Sequence, residues 1–176
     1  CGGGRVLALV HTRNQFCKNR LVLYARNEDG SANAAWSVQI KDDEWPQRKH
    51  LQRIACHGET VYAELHPGVI EALDLETGLT RGNVHTGDGV AFLRVLKLPE
   101  RGSVLFVACR PAGCVVLDMR LKACEGWQDK TRLGQRLRPV EAVADDLSAV
   151  VGWLGPHRLV HVRLEDQKTT ELWNRF

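Results

Sequence analysis

An all-β chain assembled from about four similar sheets is what this sequence predicts, and three observations carry that prediction. One segment type recurs three times without gaps, its prolines Pro67, Pro111 and Pro156 lying 44 and then 45 residues apart. Short runs rich in Val, Ala, Leu and Tyr flank each copy and are punctuated by Gly and Pro, which is the composition of strands and turns. Helical periodicity at 3.6 residues is weak throughout.

The elements follow in order from that recurrence. The repeated segments are His66–Leu75, Arg110–Met119 and Gly155–Leu164, each ending in a large apolar residue eight positions past its proline. Before them lie the runs Thr60–Leu65, Ser103–Ala108 and Ser148–Trp153. After them come Leu79–Val84, Ala123–Gln128 and Thr169–Trp173, two of which carry a tryptophan, Trp127 and Trp173. Ahead of each unit sits a further apolar stretch, Leu51–Cys56, Val90–Leu98 or Val140–Ala144. Each unit therefore reads as four short strands. Gly78, Gly102 and Gly113 suit turns or strand starts, and the prolines suit strand edges, where no ladder donor is lost. The N-terminal part fits more loosely. It offers three strands, Arg5–Val10, Leu21–Arg26 and Ala35–Ile40, a hairpin turn at Asn27-Glu28-Asp29-Gly30, and an insertion at His11–Arg20. Trp36 takes the place of the later tryptophans.

Composition narrows the class. Hydrophobic residues make up 44% and charged residues 26% of the 176 residues, a globular balance and not a disordered one. With 24 basic against 21 acidic residues the charge is too even for a phosphate-binding surface, so no nucleic acid is expected. The densest basic stretch, Lys130 to Arg138, is broken by Leu133 and Leu137 and reads as a solvated loop face. No apolar run approaches the roughly 20 residues that cross a bilayer as a helix, so no membrane span is expected. The six cysteines contain no C-x-x-C pair, and Cys56, Cys109 and Cys114 lie among apolar strand residues. Reduced, buried thiols are the expectation, which points to the cytoplasm or nucleus. The opening Cys1-Gly2-Gly3-Gly4 leaves one alternative, the lipid-modified cysteine of a bacterial envelope lipoprotein.

Four-stranded sheets repeating every 40 to 45 residues or so are the pattern of a β-propeller, whose blades shield one another's faces. The stretch Ala72-Leu73-Asp74-Leu75-Glu76-Thr77-Gly78 resembles the third strand and turn of degenerate WD-repeat and YVTN-type (quinoprotein-like) propellers. Leu105-Phe106-Val107-Ala108 followed by Val116-Leu117-Asp118-Met119 is similar one unit later. The sequence departs from well-formed WD repeats in that Leu73 and Leu117 replace the tryptophan of the Trp-Asp pair. Units are expected at 1–49, an incomplete first blade, and at 50–88, 89–136 and 137–176. The resemblance implies about four four-stranded blades within a larger propeller, its ring completed by another segment or subunit.

In a propeller, loops joining second to third strands open on the same rim as loops joining successive blades. That places His66, Arg110 and His157 on one rim, joined by Trp45, His85 and Arg136 from inter-blade loops. Trp and Arg are enriched at binding hot spots, so this rim is the candidate partner-binding surface. Idle polar loops have the same composition. The histidine pairs do not suggest a metal: His157 and His161 would sit about 13 Å apart on a strand, too far to chelate one ion. Asp42-Asp43-Glu44 and Asp145-Asp146 read as turn or solvated acids, and no nucleophile elbow or phosphate-cradling loop is present. No catalytic set, metal or cofactor is expected. The function expected is a non-catalytic protein-interaction scaffold in a larger assembly, with a quinoprotein-like or lactonase-like enzyme as the alternative.

Overall fold

The computed structural model describes residues 4–10, 20–40, 53–87, 89–98, 101–110, 113–124, 137–143, 149–154, 158–163, 166 and 168–174. Among them there is no α-helix, and every regular element is a strand in an antiparallel sheet. Sheet one joins β1 (Arg5–Val10), β2 (Arg20–Arg26) and β3 (Ala32–Gln39) in that order. Sheet two joins β4 (Ile54–His57), β5 (Thr60–His66), β6 (Val69–Asp74) and β7 (Thr80–His85). Sheet three joins β8 (Gly89–Leu98), β9 (Gly102–Arg110) and β10 (Gly113–Asp118). Sheet four joins β11 (Leu137–Val143), β12 (Ala149–Leu154), β13 (Arg158–Arg163) and β14 (Thr169–Asn174). Within each sheet, strands adjacent in sequence are hydrogen-bonded neighbours, an order that antiparallel hairpins produce.

The run expected over Ala123–Gln128 enters the structure as a bridge between Ala123 and Leu117; residues 125–130 lie outside the described set. The turns explain why the strands end where they do. At the close of β2, the Asn27 N–H donates to the Ser31 carbonyl at 2.8 Å and Gly30 takes φ +84°. At the close of β10, the Asp118 N–H donates to the Lys122 carbonyl at 2.7 Å, and Leu121 takes the left-handed place with φ +65°.

The chain divides into two compact units, Cys1–His85 and Thr86–Phe176. In the first, Leu21, Leu23 and Trp36 of sheet one form one buried cluster with Val61, Ala63, Leu65 and Leu73 of sheet two. In the second, Phe92, Leu96, Val104, Phe106 and Val116 of sheet three form a cluster with Val160 and Val162 of sheet four. Face-to-face sheet packing of this kind explains why β5 and β9 are nearly continuous apolar runs: strands covered on both faces lose the polar alternation of a half-exposed strand.

One sheet-to-sheet contact is specific. The β6–β7 turn is built around Asp74, whose Oδ1 accepts hydrogen bonds from the Glu76 N–H (2.9 Å), the Thr77 N–H (2.7 Å) and the Thr77 hydroxyl (2.9 Å). Arg81 pairs with the other carboxylate oxygen. Trp36 lies against this turn, its Nε1–H donating to the Leu75 carbonyl at 2.9 Å. Gly78, with φ +69°, lets the ring approach so closely that a Cβ there would meet it at 2.7 Å.

Candidate interaction surface

His66 closes β5 and His85 closes β7. In the ladder His66 faces Val69 and Val69 faces His85, so both histidines stand in one row at the same end of sheet two. Two strand spacings put their backbones about 10 Å apart. His66 is half-exposed, its Nε2 lying 3.7 Å from Glu71 Oε1. The Thr80 hydroxyl donates to Glu71 Oε2 at 2.8 Å, which fixes the carboxylate beside the histidine. His85 is exposed. Arg110 closes β9, its backbone opposite Gly89, at the corresponding end of sheet three. Its side chain, and Trp45, Arg136 and His157 entirely, lie outside the described residues.

Two residues before His66 in β5 stands one member of a pair that the sequence did not reveal. Glu64 and Arg53 are both buried, and Arg53 Nη1 donates to Glu64 Oε2 at 2.5 Å. The second carboxylate oxygen accepts the Gly68 N–H at 2.8 Å. One buried carboxylate thereby ties the tip of the β5–β6 hairpin to the residue that precedes β4. The sequence signal was present: a charged residue stands in the otherwise apolar run Val61-Tyr62-Ala63-Glu64-Leu65, four positions before a turn glycine. A lone carboxylate in a strand covered on both faces requires a partner.

Sheet one carries a separate open cleft of about 470 Å³ lined by Arg5, Val6, Tyr24, Arg26 and Ala32. Among the described residues no three His, Cys, Asp or Glu side chains are grouped to hold a metal ion, and no helix is long and apolar enough to cross a membrane.

Neither a protein-family model nor a curated protein matches the sequence. Solved structures do match. BamB from Moraxella catarrhalis superposes over 93% of this chain with a TM-score of 0.55 at 17% identity, and the WD40 domain of Neurospora crassa Pan2 over 89% with a TM-score of 0.51 at 10% identity. The fold is that of a β-propeller. The match takes in 44% of the BamB chain and 49% of the Pan2 chain, so this propeller sequence spans about half the length of either.

Proposed function

We propose that this propeller is a non-catalytic platform that holds a protein partner within a larger assembly. Its candidate contact residues are His66 and His85 at one end of sheet two, with Arg110, Trp45, Arg136 and His157 as the further candidates that the sequence offers. The observation that carries the reading is the anchored hairpin tip, where Glu64, two residues before His66, joins Arg53 to the Gly68 N–H. A tip held in this way presents its side chains with little ordering cost on binding, which is how rigid scaffolds gain affinity from a few anchors. The propeller completes its ring with another segment or subunit; the matched structures, about twice as long, support this. Cys114 is buried in the apolar cluster of sheets three and four, the setting of a small apolar core residue, which supports the reading of a reducing compartment, the cytoplasm or nucleus.

The test is capture of the native partner by wild-type protein and by a variant with alanine at His66, Arg110 and His157. A loss of at least about tenfold, equivalent to roughly 1.4 kcal/mol, is the expected result, with the variant's thermal unfolding unchanged. Equal capture by a folded variant removes the strand-end surface from the reading.

A further inference from the structure

Two central strands fill the same structural place with different chemistry. β5 is hydrogen-bonded on both sides, to β4 and β6, and β9 likewise to β8 and β10. Their ladders match in register: Glu64 faces Ile70 and Ala108 faces Cys114, so a shift of 44 residues carries one strand pair onto the other. Under that shift Thr60-Val61-Tyr62-Ala63-Glu64-Leu65 falls on Val104-Leu105-Phe106-Val107-Ala108-Cys109. Thr60 gives way to Val104, Tyr62 to Phe106 and Glu64 to Ala108, each replacement removing the polar atoms of the side chain. Among the described strands β9 thereby carries the longest unbroken apolar run, six residues against the five of residues 6–10 and 21–25.

In the folded protein that run is out of reach. Val104, Leu105, Phe106, Val107 and Ala108 are buried, and β8 and β10 occupy both backbone edges. Opening of sheet three changes its character. A six-residue segment rich in β-branched and aromatic residues, free of charge, proline and glycine, is the kind that stacks into cross-β ladders. The nearest charges, Arg101 and Arg110, flank the run without interrupting it.

In β5 a charge stands inside the segment. The fold accommodates Glu64 through Arg53 and the Gly68 N–H. A ladder of residues 60–65 would hold neither partner, since both lie outside the segment. It would instead set the carboxylates of successive copies one above another at about 4.8 Å, where like charges repel. We propose that residues 104–109 of β9 are the segment through which copies of this protein associate as intermolecular β-sheet once sheet three opens, and that Glu64 withholds the same behaviour from β5. The partner is a second copy of this chain, because identical segments repeat the same side-chain match at every step of a ladder.

The experiment uses the full 176-residue protein, unfolded in urea and diluted to the midpoint of the wild-type transition. Thioflavin T fluorescence follows ordered assembly, and hydrogen exchange read by mass spectrometry maps the protected core of the product. The expected core contains residues 104–109 and omits residues 60–65. Ala108→Glu gives sheet three the charge that sheet two carries and should lengthen the lag at least about tenfold. Assembly starts from the unfolded chain, so this reading does not require the variant to fold. Glu64→Gln keeps the shape of the side chain without its charge and should add residues 60–65 to the core. A core formed elsewhere, or a lag that Ala108→Glu leaves unchanged, overturns the assignment to β9. A Glu64→Gln product with the wild-type core overturns the role of Glu64. Protein that stays soluble, or precipitates without a thioflavin T signal, overturns both.

Discussion

Gly78 shows how much a single missing side chain can decide. Its φ of +69° alone would cost an alanine about 1 kcal/mol. The Cβ would also strike carbons of the Trp36 ring at 2.7 Å, and the ring cannot withdraw without breaking its hydrogen bond to the Leu75 carbonyl. Gly58 has a similar backbone, φ +55°, with nothing within 4 Å of the added atom. Gly58→Ala should therefore cost about 1 kcal/mol and Gly78→Ala about 3 kcal/mol, the excess being steric. Urea unfolding of the two variants gives the comparison, and equal costs would mean that Trp36 does not rest on the turn. Leu121 makes the complementary case. It accepts the left-handed conformation at φ +65° while 6% exposed, because burying a leucine side chain, worth about 2 kcal/mol, exceeds the backbone penalty.

At the scale of the element, the buried Arg53–Glu64 pair has a built-in comparison within the same chain. A shift of 44 residues carries Glu64 onto Ala108 and Ile70 onto Cys114, and Ala108 faces Phe92 across β8 and β9. The place filled by an arginine and a glutamate in sheet two is thus filled by a phenylalanine and an alanine in sheet three. The fold does not require the ion pair, and buried pairs of this kind contribute little net stability compared with apolar replacements. Removing one partner is another matter. Glu64→Ala should cost about 3–5 kcal/mol, because it removes the buried carboxylate that the Arg53 guanidinium and the Gly68 N–H share, whereas Arg53→Phe with Glu64→Ala should recover most of that loss. Thermal unfolding of the single and double variants decides it, and a double variant as unstable as the single would show that the pair itself sustains sheet two. The repeated strands were legible in the sequence, since β6 and β10 coincide with the recurring segments after Pro67 and Pro111. The pair was not. Arg53 and Glu64 are 11 residues apart, one just before β4 and the other within β5, and only the register of β4 with β5 brings them together. His66 and His85 were read as loop residues and stand one step away, as the last residues of β5 and β7, because turn residues announce where a strand stops only to within a position or so.

For the whole molecule, the same hairpin chemistry recurs in both units and gives the protein a shared response to acid. Asp74 is lowered from its ordinary 3.8 to about 2, first by the Thr77 N–H, then by the Thr77 hydroxyl and the Arg81 guanidinium. Asp166, in the β13–β14 turn, is lowered to about 2 chiefly by the Arg163 guanidinium, with the Lys168 N–H adding to it. A carboxylate whose folded pKa lies below its unfolded one stabilises the fold fully above the unfolded value, and that stabilisation disappears as pH falls through the folded value. Both groups therefore lose their contribution over one window, from about pH 4 down to about pH 2. Their partners are solvent-accessible, with Arg81 and Arg163 side chains each nearly half exposed, so salt should weaken the effect. A protein with Asp74→Asn and Asp166→Asn removes the titration while keeping the shape of each side chain. Its urea midpoint should lie below that of the wild type at pH 7 and fall less steeply between pH 4 and pH 2, the two curves converging at the acid end. Parallel curves across that range would mean that the turns do not hold their carboxylates in the charged form, and the hairpin ends that define each sheet would need another explanation.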